Sequence, residues 1–117
     1  MRISILVSAV VLATAATAAT AATCPAPGSI TQSAAGTGFN YAAPGGWKGE
    51  NPMADEGDLK GFKFDSAKVT DSAVVCRYIS GDEGFVSLSL QGAKSPDGSG
   101  WKDKACAGGD VSSCAFK

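Results

Sequence analysis

Histidine is absent from this chain of 117 residues. Without an imidazole to carry a proton, the Ser-His-Asp and Cys-His arrangements of nucleophilic catalysis are excluded. The same absence narrows metal binding. The four cysteines include no Cys-x-x-Cys pair, so the usual close-pair or cysteine–histidine zinc sites have no foundation, and no metal ligand set or cofactor is expected. There is no block of basic residues. Nucleic acid and anionic membrane surfaces therefore find no electrostatic footprint in the sequence. Gly45-Gly46 and Gly98-Ser99-Gly100 lack the lysine-bearing phosphate-loop pattern and read as turns. Internal repeats and heptads are missing. Long hydrophobic runs are missing too: the apolar stretch from Ile3 to Leu12 covers about 10 residues, where a membrane span needs about 20.

What is present begins with an export signal. Arg2 supplies a positive start, Ile3 to Leu12 an apolar core, and Ala13 to Thr23 a run of small residues. Ala19-Thr20-Ala21 fits the small-x-small rule, which places cleavage after Ala21 or Ala22. Residues 1–22 are thus expected to be a cleaved secretory signal peptide, and residues 23–117 a single small domain, periplasmic or extracellular, with no stable membrane insertion after cleavage. A lipid anchor on Cys24 is disfavoured, because Ala21 stands where a Leu-type residue is wanted. Loss of Arg2 takes the net charge from -1 to about -2. A domain of this size buries only about two thirds of the surface its unfolded chain exposes, so its core is marginal and disulfides are valuable.

Strand patterning dominates the middle of the chain. Leu59 to Val69 carries Phe62 and Phe64 on one parity. In Ser72 to Ile79, Val74, Cys76 and Tyr78 oppose Val75, Arg77 and Ile79. In Phe85 to Leu90, Val86, Leu88 and Leu90 alternate with serines. Thr70-Asp71 and Ser80 to Gly84 read as the turns between them, which predicts a three-stranded antiparallel meander. Phe39 to Ala42 is a further short strand, followed by a Pro44-Gly45-Gly46 turn. Cys24 to Gly38 reads as an extended or irregular lead-in, Asn51 to Asp58 as an acidic loop, and Ser95 to Gly100 as another loop. The fold class is mainly β: a small antiparallel sheet, sandwich or open barrel held by disulfides.

Four cysteines permit three pairings. The favoured set joins Cys106 to Cys114 across a short glycine-containing loop and Cys24 to Cys76, stapling the N-terminal segment to the central strand. The crossed set, Cys24–Cys106 with Cys76–Cys114, stays open. In an exported domain these cysteines are expected to be structural. Paired cysteines also cannot act as thiolate nucleophiles.

Glu50, Asp55, Glu56, Asp58, Asp82 and Glu83 could in principle supply a two-carboxylate hydrolase. Asp55, Glu56 and Asp58, with Asp82 and Glu83, also resemble hard oxygen ligands for calcium, though without EF-hand spacing. Both readings yield to that of solvated acids on polar loops. Tyr41, Trp47 and Trp101 are the candidate binding residues, since exposed aromatics stack on sugars or anchor protein partners. Each tryptophan follows a glycine-rich turn, as core residues at strand starts do, so core packing is the competing reading.

Four short elements run through the chain: Cys24-Pro25; Tyr41-Ala42 ahead of Trp47-Lys48-Gly49; Cys76-Arg77-Tyr78; and Cys106 with Cys114-Ala115-Phe116. Together they resemble a family of small exported bacterial proteins of unknown function. The resemblance implies a periplasmic or extracellular domain and brings no catalytic residues. The expected role is a non-enzymatic binding, inhibitory or envelope-associated module with a protein or saccharide partner, engaged through strand edges or the tryptophan-bearing loops. The alternatives are a small carboxylate-based hydrolase and a secreted effector or toxin.

Overall fold

A computed structural model describes residues 22–81, 84–107 and 109–117. Residues 1–21 of the expected leader, together with Asp82 and Glu83, lie outside the described residues.

The fold is mainly β. The strands are β1 (Thr31–Ala34), β2 (Phe39–Ala43), β3 (Trp47–Asn51), β4 (Lys63–Val69), β5 (Ala73–Ser80), β6 (Gly84–Gln91), β7 (Trp101–Lys102) and β8 (Ala105–Cys106), with a short helix, α1 (Asp58–Gly61), and 3-10 turns at Pro27–Ser29 and Val111–Cys114. They form one open sheet in the order β1-β2-β3-β6-β5-β4-β8-β7, and every neighbouring pair is antiparallel. The expected meander is its centre, β4-β5-β6. Alternation places Val74, Cys76, Tyr78, Val86 and Leu88 on the inner face, all completely buried. Both disulfides of the favoured set are present, Cys24–Cys76 and Cys106–Cys114.

Three local features depart from the sequence reading. The segment from Leu59 does not begin as a strand: Asp58 to Gly61 make one helical turn, and Asp58 accepts a hydrogen bond from the Asp55 amide at 3.0 Å. In β4 the register with β5 slips between Phe64 and Ser66. Asp65 is the extra residue, and the bulge transfers Ala67 and Val69 to the buried face that Phe62 and Phe64 began. Finally, the lead-in read as extended or irregular holds a paired strand, β1. It is polar because it is an edge strand, pairing only with β2 from Thr31↔Ala42 to Ala34↔Phe39.

An open sheet needs a cover for its apolar face. Here the two terminal segments supply it. Residues 22–30 are pinned by Cys24–Cys76 and by the Tyr78 hydroxyl, which donates to the Pro25 carbonyl at 2.6 Å. Residues 111–117 bring Cys114 and Phe116 into the core, where the Phe116 ring meets Trp47 edge-on with centroids 6.0 Å apart. Ala22 and Phe116 exchange two backbone hydrogen bonds of 2.7 and 2.8 Å, so the two covers are joined to each other. Gly49 fixes how closely β3 approaches β6, since a β-carbon there would collide with the Ser87 carbonyl oxygen.

Candidate binding face

The three aromatic candidates begin at strand positions that turn inward. Tyr41, in β2, is buried; its ring packs edge-on against Phe62 and its hydroxyl accepts from Gln32 Nε2 at 3.0 Å. Burial lifts its pKa, and Asp58 and Asp55 add to that rise, while the Gln32 hydrogen bond opposes it. Trp47, the first residue of β3, is buried against Phe116. Trp101, the first residue of β7, is half-buried and its indole N–H donates to the Ala115 carbonyl at 2.7 Å. All three therefore help to close the core, and the structure does not gather them into one exposed platform.

The acids are dispersed as well. Glu50 projects from the outer face of β3. Asp55 and Asp58 line an opening of about 570 Å³ with Asn51, Met53, Ser80 and Phe85. Asn51 is satisfied within that wall: its Nδ2 donates to the Phe85 carbonyl at 2.7 Å and its Oδ1 accepts from the Met53 amide at 2.9 Å. Among the described residues, no group of three or more His, Cys, Asp or Glu side chains is arranged to hold a metal ion.

The outer face of the sheet carries a different chemistry. Arg77 in β5 lies over the Phe85 ring, 5.0 Å from its centroid, and its Nε stands 3.8 Å from an Asp65 carboxylate oxygen. The bulge that exposes Asp65 thus also creates that ion pair. Ile79 and Phe85 face each other across β5 and β6 and remain 37% and 40% exposed. Beside Arg77 runs a groove of about 320 Å³ lined by Ser66, Lys68, Val75, Ser87 and Ala105.

Charge is sorted between this face and the loops. Outward strand positions hold Lys48, Lys63, Lys68, Arg77 and Lys102, opposed there by Glu50 and Asp65, in a chain whose net charge is -1. The β5 alternation identifies Val75, Arg77 and Ile79 as a face from sequence. The lysines are too far apart in the chain to read as a patch, and only the strand register brings them onto one surface. Among the described residues, no helix is long and apolar enough to cross a membrane. The chain matches no protein-family model, no curated protein and no solved structure.

Proposed function

We propose that this is an exported, non-enzymatic binding module of a bacterial envelope or its exterior, acting through the outer face of its sheet. The observation that carries the reading is the sorting of charge just described: a net-negative chain concentrates cations on the broad sheet face that the described segments leave uncovered. The leader-like N-terminus and two disulfides in so small a domain support export, because such bonds persist in oxidising compartments. The half-exposed Ile79 and Phe85 beside Arg77 add apolar contact to the charge, the usual mixture of a recognition surface.

The test is a capture experiment from envelope extract, scoring saccharide as well as protein, with the wild type and an Arg77→Glu/Ile79→Ser double variant. Substitutions at exposed positions cost little stability, so the variant stays folded. The expected result is a retained partner for the wild type and loss of it for the variant. Identical capture by both, or by neither, overturns the reading. Intact mass of the exported protein under non-reducing conditions checks the leader and the bonds together: cleavage after Ala21 or Ala22 and four oxidised cysteines are expected.

A further inference from the structure

Three of the five outward cations, Lys48, Lys68 and Lys102, are aligned. Lys48 is the register partner of Ser89, Ser89 of Val75, Val75 of Lys68, Lys68 of Ala105 and Ala105 of Lys102. Directly opposed residues of antiparallel strands project to the same face, so these six form one row across β3, β6, β5, β4, β8 and β7. With strands about 4.8 Å apart, Lys48 and Lys68 are separated by about 14 Å and Lys68 and Lys102 by about 10 Å. Among the described residues, no acid interrupts the row. Glu50 is two residues from Lys48 on the same face, Asp103 follows Lys102 in the β7–β8 turn, Asp65 is engaged with Arg77, and Asp71 with Lys104 at 3.7 Å. The groove beside Arg77 runs against the middle of the row.

Resting on the binding-face reading, we infer that the occupant of this row is a linear polysaccharide bearing carboxylate groups, laid across the strands. Ammonium groups strung along one line match a polymer that repeats its anions. Arg77, paired with Asp65 and lying over Phe85, adds a cation beside the row. The residues between the lysines are short, so the row is a shallow trough without the deep apolar socket that seats the anchor of a protein partner. The Ser87 and Ser89 hydroxyls along it both donate and accept, as sugar hydroxyls require. Among the described residues, Phe85 is the one aromatic on the outward strand positions and Arg77 covers it, which leaves no platform for stacking nucleobases.

Affinity electrophoresis of the disulfide-intact, full exported protein through gels containing polygalacturonate, dextran or poly-glutamate tests this. Retardation by polygalacturonate and not by dextran is expected, weakening as salt rises. Lys68→Glu, in the middle of the row, is expected to lower the affinity at least tenfold, while Lys94→Glu, outside the strands, leaves it within twofold. Thermal midpoints of the variants establish that both are folded. Failure to bind polygalacturonate, or binding indifferent to Lys68→Glu, overturns the inference. Retardation by poly-glutamate alone, lost in Lys68→Glu, also overturns it, yet leaves the binding face standing with an acidic peptide as its partner.

Discussion

Tyr78 concentrates several demands in one side chain. It is completely buried, its ring meets Phe64 edge-on at 5.8 Å, and its hydroxyl serves the Pro25 carbonyl that belongs to the N-terminal cover. Tyr78→Phe keeps the packing but leaves that carbonyl without its donor, so urea unfolding should show a loss of about 1–2 kcal/mol. Burial also holds the Tyr78 phenol well above the ordinary tyrosine value of 10. A folded-state pKa above the unfolded one means that the stabilisation is complete below pH 10 and is lost as pH rises toward the folded value. Stability should therefore fall above pH 10, and the Phe variant should fall less steeply. Its residual slope belongs to Tyr41, whose phenol is raised for the same main reason. Stability curves for the two proteins across that range, followed by phenolate absorbance, check the sign.

Among the elements, β5 and β6 are the most legible from sequence. Each is long enough for alternation to declare its faces, and both faces differ in polarity. β1 is hidden because an edge strand of Thr, Gln, Ser and Ala carries no apolar alternation; β4 is legible as a strand, but the bulge that reverses its parity at Asp65 is not. The candidate face is less legible still. Lys48, Lys68 and Lys102 come from three distant segments, and the bulge, the turns and the single β3–β6 register pair Lys48↔Ser89 together determine that they align. The two disulfides divide their work by loop length. Cys24–Cys76 spans 52 residues and Cys106–Cys114 spans 8. By chain entropy, removing the first pair with Cys24→Ala/Cys76→Ala should cost about 4 kcal/mol and removing the second about 2.5 kcal/mol. Comparing urea midpoints of the two double variants tests that order; equal losses would place the contribution in native packing instead.

At the scale of the molecule, the segments 22–30 and 111–117 close one sheet face, and among the described residues the other is left to solvent. The closed side depends on Phe116, which is buried, packed edge-on against Trp47 and flanked by backbone pairs to Ala22 and to the Ser95–Gly98 segment. Phe116→Ala should cost about 3–5 kcal/mol, a large share of what so small a domain has, and calorimetry should show a melting transition lowered by many degrees or abolished. The open side should tolerate substitution, so Lys48→Gln or Lys102→Gln should leave the same transition unchanged.

The bond between Ala22 and Phe116 has a temporal meaning. A polypeptide whose earliest and latest described segments clasp each other cannot lock while its tail is still being synthesised. Closure of the inner face consequently waits until residue 116 has been made and can reach residue 22, and the sheet stays open on that side until then.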